Sequence, residues 1–267
     1  MSIVVITGAA GRIGTMLRTR LAAPGRTLRL VDVKPVAIGP GEEAIVASVT
    51  DTEAMVAACT SADAVIHLGG IPAEAPWEQI LDVNIDGTHT LFEAARVAGV
   101  TRVIFASSNH AVGFAPLASA PIPDYAFPAP DTYYGVSKVA GEALGALYSR
   151  RHGMDVICVR ILSCFERPLN TRGLSTWLSP GDAGRLFEAC LAAPSPGFRV
   201  IFGVSNNTRG GWVSLEEARK LGYEPQDDSE LYAAEVIAEH GELVAGDPSA
   251  LYLGGDFTSA NPPRASL

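Results

Sequence analysis

The chain has 267 residues, 48% of them hydrophobic, with 27 glycines and 18 prolines, which is enough apolar material for one sizeable core with an appended lobe. Its 20 basic and 29 acidic residues give a formal charge of -9; the basic footprint that holds a nucleic-acid backbone is missing, so nucleic acid is not an expected partner. The four cysteines, Cys59, Cys158, Cys164 and Cys190, have no CxxC spacing, which argues against a disulfide framework and a zinc site and fits a reducing compartment.

The opening MSIVVITGAAGRIG lacks the basic flank and long apolar stretch of a secretion signal. No apolar run approaches the ~18 to 20 residues of a membrane helix, so a cytoplasmic protein without a membrane partner is expected. Short β-branched runs alternate with longer segments of helical period, the pattern of parallel strands joined by crossover helices. Strands are expected at Ile3 to Thr7, Leu28 to Val33, Ala44 to Ala47, Ala64 to Leu68, Arg102 to Ala106, Asp155 to Ile161 and Arg199 to Phe202. Helices are expected at Gly11 to Ala22, Thr52 to Cys59, Trp77 to Ala98, Thr132 to Arg151 and Asp182 to Ala193. VVIT, AVIHL and RVIFA are apolar nearly throughout, as strands are when helices cover both sheet faces. The proline-rich stretch from Gly113 to Pro130 follows a strand end and reads as a lid or a substrate wall.

Gly8, Gly11 and Gly14 in TGAAGRIG follow a predicted strand and open a predicted helix. There they permit a tight turn, close approach of backbone to a pyrophosphate, and packing of helix on sheet. Asp32 ends the next strand, where a carboxylate meets ribose hydroxyls. The same carboxylate repels the ribose phosphate of NADP, with only Lys34 nearby to compensate, so the expected cofactor is NAD. The fold class is therefore α/β, a doubly wound Rossmann-type parallel sheet with a small C-terminal substrate-binding lobe. Residues 1–162 are expected to form the dinucleotide-binding core with the catalytic residues. Residues 163–267 are expected to form the lobe, interleaved with the last strand and helices of the core.

Tyr134 and Lys138 in YGVSK lie four residues apart on a predicted helix and share one face. A tyrosine must come down about three units from its usual value to act as a base at neutral pH, which a nearby ammonium plus a positive nicotinamide can supply in a partly buried site. In FASSNH, Ser107 and Ser108 leave the sheet at its carboxyl edge, the side where chemistry is expected. One hydroxyl can hold the reacting oxygen; the ordinary alternative is a turn or a helix cap. Asn84 in LDVNIDGTHT reads as a polar helix residue or a mild kink. The five histidines show no ligand spacing, and no metal is expected.

The glycine motif, DAVIHLGG, Asn84, the serine pair and YGVSK occur in the order found in extended short-chain dehydrogenases/reductases, which residues 1 to about 165 resemble. HLGGIP, FASSNHAVGF, DTYYGVSK, VRILSC and NTRGLSTWLSP look more specifically like the uronate dehydrogenases, the last segment extending the likeness into the lobe. This resemblance implies oxidation of D-glucuronate or D-galacturonate at the anomeric carbon, giving an aldarolactone and NADH. It implies Tyr134 as general base, Lys138 lowering its pKa and holding the nicotinamide ribose, Ser108 binding the reacting hydroxyl, and Asn84 supporting the lysine through a water. Around NAD it places Arg12, Ile13, Val49, Leu68, Gly69, Gly70 and Ile161 beside the glycines and Asp32. Around the sugar it places Asn109, His110, Ser163 and Arg172, the last receiving the uronate carboxylate, a match for a planar guanidinium. It also implies a homo-oligomer.

Two positions depart from the family pattern. Relatives often have Asp where Ser48 stands, which leaves adenine to the Val49 backbone or Asp51. They tend to have Ser where Pro72 stands, and proline offers neither hydroxyl nor backbone donor. Two other readings compete. A nucleotide-sugar epimerase or dehydratase shares the motifs, but about a hundred residues after Ser163 are lean for gripping a nucleoside diphosphate. A redox-sensing regulator would bind the dinucleotide without chemistry, and the complete set of Tyr134, Lys138 and Ser108 counts against it.

Overall fold

The structure is a computed structural model describing residues 2–244 and 246–265. Its first half comprises β1 (Ser2–Thr7), α1 (Arg12–Arg20), β2 (Arg26–Asp32), β3 (Glu42–Val46), α2 (Thr52–Cys59) and β4 (Ala64–His67). One helical run follows, made of α3 (Trp77–Gln79), a π-helical stretch (Ile80–Asp86) and α4 (Gly87–Val97). Next come β5 (Arg102–Ser108), α5 (Tyr133–His152), β6 (Asp155–Ile161), β7 (Ser163–Cys164), α6 (Gly173–Thr176) and β8 (Trp177–Leu178). The chain continues through α7 (Pro180–Ala192), β9 (Phe198–Gly203), α8 (Glu216–Lys220), α9 (Ala233–His240) and α10 (Pro248–Leu251).

Seven strands form one sheet in the order β3-β2-β1-β4-β5-β6-β9, every neighbouring pair parallel. The chain winds outward from β1 to β3, returns to β4, and winds outward the other way. That reversal opens a crevice at the carboxyl ends of β1 and β4, where open sheets of this kind bind ligands. All seven strands and five long helical segments expected from the sequence are present, with ends shifted by one or two residues. The small β7–β8 pair and the short helices after Gly203 carry no comparable periodic signal.

Alternate residues along each strand feed opposite faces. Val4, Ile6, Leu28, Leu30 and Ile66 pack with Leu17 of α1 and Phe187 of α7. Val5, Val31, Val65 and Val103 pack with Met55 of α2 and Phe92 of α4. Both faces are therefore apolar, and each fully buried Leu or Val contributes roughly 1.5 to 3 kcal/mol. Helix α5 begins at the cap made by Thr132, whose hydroxyl accepts from the Gly135 amide at 3.0 Å. A Cβ at Gly141 would lie 2.3 Å from the Phe105 ring; its absence lets α5 press against β5 and carry Tyr134 and Lys138 to the sheet edge.

Residues 113–130 do not form the expected lid or wall, since none of them borders the cavity described below. Ile122 instead bridges Val213 and Pro116 bridges Tyr252, and Ile122 is buried with Val112, Phe202, Val204 and Leu253. The prolines support an extended path that serves a satellite core. Within 163–267, β9 joins the main sheet and α7 packs on one of its faces. Trp177 is buried, its indole N–H donating to the Phe165 carbonyl at 2.9 Å. Among the described residues no helix is long and apolar enough to cross a membrane.

Candidate active site

A cavity of about 740 Å³ lies at the carboxyl ends of β1, β2, β4, β5 and β6. Gly8, Gly11, Arg12, Ile13, Gly14, Asp32, Val49, Leu68, Gly69, Gly70 and Ile161 line it, together with Ser108, Tyr134, Lys138, Asn109, His110, Ser163 and Arg172. The fold thus brings the expected site residues to one cavity, with Asn84 the exception.

The glycine turn is built for close approach. Gly8 has φ +69°, and a Cβ at Gly14 would lie 2.5 Å from the Gly8 carbonyl oxygen. Helix α1 starts at Gly11 with no side-chain cap and no acid in its first turn, so the amides of Arg12, Ile13 and Gly14 face an anion with nothing competing. Asp32 accepts the Ala10 amide and the Lys34 amide, each at 2.9 Å. These bonds fix the carboxylate and leave acceptor capacity on both oxygens for ribose hydroxyls. The donor set and turn fit a dinucleotide. Ser48 and Val49 border the cavity, whereas Asp51 does not; Asp51 caps α2 through the Ala54 amide at 3.0 Å, which removes it from the expected adenine contacts.

Lys138 Nζ donates to the Ala106 carbonyl at 2.9 Å and lies 5.3 Å from the centre of the Tyr134 ring. Burial pushes the Tyr134 phenol up to about 12, with the Ser108 hydroxyl pulling the other way and Asp131 adding to the rise. Burial likewise pushes Lys138 down to about 8, opposed by Glu142. Dehydration of the phenolate outweighs the groups the protein sets around it, so the expected descent toward neutrality calls on the positive nicotinamide as well as on Lys138. A further positive charge is needed. Of the serine pair, Ser107 is committed to Glu142, donating to Oε1 at 2.6 Å. That leaves Ser108 for the cavity, its Oγ accepting from the His110 amide at 3.2 Å.

Asn84 stands outside the cavity lining. Its Oδ1 accepts the Ile71 amide at 2.7 Å, and its Nδ2 donates to the Ile71 carbonyl at 3.0 Å and to Ser137 Oγ at 3.1 Å. It clamps the Gly70–Ile71 turn to α5, and the sequence reading of a mild kink is realised as a π-helical turn, a feature frequent at functional sites.

Arg172 points two guanidinium nitrogens at main-chain carbonyls: Nη1 donates to Ser249 at 3.2 Å and Nη2 to Leu253. It forms no ion pair among the described residues. Burial lowers its pKa to about 10, with Asp256 and Asp131 opposing, so an added anion would be welcome. Two other arginines close in sequence are paired with acids, Arg160 with Glu142 and Arg167 with Glu235. Asn109 Nδ2 donates to Leu253 at 2.9 Å, and Ser163 Oγ lies 2.9 Å from Thr176 Oγ1. Pro72 borders the cavity, where it adds no donor. Sequence reasoning missed Gly254, Asp256, Phe257 and Pro263, which also line it. Their one signal is the Gly254–Gly255 pair, where Gly255 has φ +57° and a Cβ would lie 2.7 Å from Arg172 Nε.

A model of the NAD dependent epimerase/dehydratase family matches residues 4–168. The chain belongs to this family. It is 42% identical over 260 residues to a uronate dehydrogenase from Pseudomonas putida, covering 97% of this chain and 96% of the relative. A mutant uronate dehydrogenase from Agrobacterium tumefaciens, crystallised with NAD, superposes with a TM-score of 0.92 at 37% identity, over 99% of both chains. An NAD-dependent glucose-6-phosphate dehydrogenase from Haloferax volcanii is 39% identical over 254 residues, covering 87% of this chain and 96% of that protein. This family member therefore keeps its likeness well beyond the dinucleotide-binding region, through the segments that supply Arg172 and Phe257.

Proposed function

We propose that this chain is an NAD-dependent uronate dehydrogenase, oxidising the ring form of a hexuronate at its anomeric carbon to the aldarolactone. The observation that carries the substrate class is Arg172, a half-buried guanidinium without an acidic partner in ion-pair range among the described residues, in one cavity with Ser108, Tyr134 and Lys138. Full-length likeness to uronate dehydrogenases supports the same reading.

NAD, when bound, accepts the hydride from the anomeric carbon. Tyr134 takes the proton of the anomeric hydroxyl, so the sugar gives up one hydride and one proton, two electrons and two protons in all, and a lactone carbonyl forms. Ser108 holds that oxygen. Lys138, anchored on Ala106, holds the nicotinamide ribose and adds positive charge beside the phenolate. The amides of Arg12, Ile13 and Gly14 hold the pyrophosphate and Asp32 the adenosine ribose. Arg172 grips the uronate carboxylate with its planar fork, while Asn109, His110 and Ser163 meet sugar hydroxyls. Asn84 acts from behind, through the turn at Ile71.

A sugar phosphate is the second reading, favoured by the Haloferax volcanii relative and by the ability of a guanidinium fork to grip phosphate. The deciding assay supplies D-glucuronate, D-galacturonate, glucose 6-phosphate, glucose and a nucleotide sugar with NAD or NADP, and follows absorbance of the reduced cofactor. Reduction of NAD with uronates alone is expected. Turnover confined to glucose 6-phosphate would replace this reading by the second, and nucleotide-sugar turnover on a retained cofactor would make the chain an epimerase or dehydratase. We also propose a homo-oligomer, consistent with exposed apolar Val97 on α4 and Leu147 on α5, and a cytoplasmic location, consistent with four buried, free cysteines.

A further inference from the structure

The reaction as derived leaves one walled-in carboxylate of the cavity's surroundings unused. Asp131 directly precedes the cap of α5, and its side chain has 0% exposure. Its Oδ2 lies 2.7 Å from Nδ1 of His110, and its Oδ1 accepts the Thr132 hydroxyl at 3.0 Å. Three glycines make its slot. A Cβ at Gly113 or Gly254 would lie 1.9 or 2.0 Å from Oδ2, and one at Gly135 would lie 3.1 Å from Oδ1. These glycines come from the segment after β5, from the C-terminal segment and from the first turn of α5, and the Gly254 amide donates to the Gly113 carbonyl at 2.7 Å. Main chain from three parts of the fold therefore fixes where the carboxylate stands.

The imidazole it meets is also held in plane. The His110 ring centre is 4.0 Å from that of Phe257 and 5.8 Å, edge on, from that of Tyr134. The Phe257 ring, tilted 32° to the imidazole, and the edge-on Tyr134 ring confine its plane, and the bond to Asp131 decides which nitrogen turns inward. A carboxylate only accepts, so Nδ1 carries the proton, and in the neutral ring Nε2 is left as an acceptor for a ligand in the cavity that His110 lines.

We propose that Asp131 is a positioning residue for uronate oxidation: it fixes the His110 tautomer, so that Nε2 accepts a hydrogen bond from a sugar hydroxyl. This rests on the uronate reading for the identity of the hydroxyl, and on geometry alone for the tautomer. Asp131 itself touches no substrate.

Asp131→Asn separates this role from bulk, because the amide has the shape of the carboxylate. The Thr132 hydroxyl, which also accepts from the Gly135 amide, keeps the amide oxygen on its own side and turns the NH2 toward His110. Nδ1 must then accept, the proton moves to Nε2, and the sugar meets a donor in place of an acceptor. In nitrogen-15 NMR of histidine-labelled protein, with the His110 signals assigned by their loss in His110→Gln, the wild type is expected to carry the proton on Nδ1 and Asp131→Asn on Nε2. The uronate KM is expected to rise about tenfold or more while NAD affinity stays within about twofold. In the His110→Gln background, Asp131→Asn should change KM by less than about twofold.

An unchanged tautomer, a wild-type KM, or the same loss with and without His110 would each overturn the proposal. Should the asparagine variant not fold, Asp131→Ser takes its place. It removes the acceptor without adding an amide donor, and a mixture of both tautomers is expected; a ring still protonated wholly on Nδ1 would overturn the proposal. Failure of the wild type to oxidise uronates would remove the functional reading, while the nitrogen spectra would still decide the role of Asp131 toward His110.

Discussion

Glu142 receives Arg160 on both of its oxygens, Nε to Oε1 and Nη2 to Oε2, each at 2.8 Å, about two turns along α5 from Tyr134. The side chains are 8% and 2% exposed. Ser107 donates to the same carboxylate, and Arg160 Nη1 reaches the Asp124 carbonyl at 3.1 Å. The pair thus pins the catalytic helix to β5 and β6. Removing only the cation would leave a buried carboxylate without its counter-charge, so Arg160→Met should destabilise the fold by about 3 to 5 kcal/mol. Adding Glu142→Gln should restore much of that. Urea unfolding of the two variants checks both; a loss below about 1 kcal/mol for Arg160→Met would contradict the pinning role.

Tyr134→Phe keeps the ring in its buried place and removes only the proton acceptor. Turnover should fall by ~10² or more with NAD binding within a few-fold, measured by steady-state rates and by titration of cofactor. Retention of more than about a tenth of the wild-type rate would reject Tyr134 as the base.

Arg172→Ala should lower kcat/KM for uronates roughly ten- to a few hundred-fold, the loss of a charged bidentate contact worth about 1.5 to 3 kcal/mol. Neutral hexoses have no carboxylate to lose, so the ratio of uronate to hexose efficiency should collapse. Arg172→Lys should recover only part, since a point charge does not reproduce the fork. Equal loss on both sugar classes would assign the residue to the fold instead.

Lys138 titrates near 8 in the folded chain against an ordinary value of 10.5. Between those values the unfolded chain holds the proton that the folded chain has released, so stability rises with pH across that window. Below about pH 8 the buried charge is a full burden. Lys138→Met should therefore be more stable than wild type at neutral pH, by on the order of 1 to 3 kcal/mol, with the advantage fading as pH rises toward 10.5. Denaturation midpoints followed from pH 6 to 10 test the sign; an advantage that grows with pH refutes it.

Asp32→Ala should narrow the preference for NAD over NADP, because the carboxylate fixed by Ala10 and Lys34 is what repels a ribose phosphate. Catalytic efficiency with both cofactors measures it. Equal use of the two by the wild type would remove the argument.

The sequence made the dinucleotide half of the site legible because its requirements are local. The Gly8 turn, Asp32 at a strand end and the Tyr134–Lys138 spacing are each fixed by the geometry of one or two adjoining elements. The half proposed to hold the sugar is assembled from distant segments. Asp131, Gly254 and Phe257 meet His110 and Arg172 only through tertiary packing, and nothing in the periodicity around residue 254 announces it. The proline-rich run misled for a related reason: its place after a strand end suits a lid, but its partners, Val213 and Tyr252, lie far along the chain. Asn84 is intermediate, since a helix interior position reveals neither the π turn nor the clamp on Ile71.

The Leu253 carbonyl is shared by Asn109 and Arg172, which gives the site an order of assembly in time. On a ribosome, Gly8, Tyr134 and Lys138 emerge more than a hundred positions before Leu253, and chains tend to fold from the amino end as they are made. A growing chain can acquire its phosphate-binding turn while the guanidinium fork still lacks the carbonyls that aim it. Recognition of the coenzyme and recognition of the sugar acid would mature as successive events of translation, the second waiting on the stretch that carries Leu253.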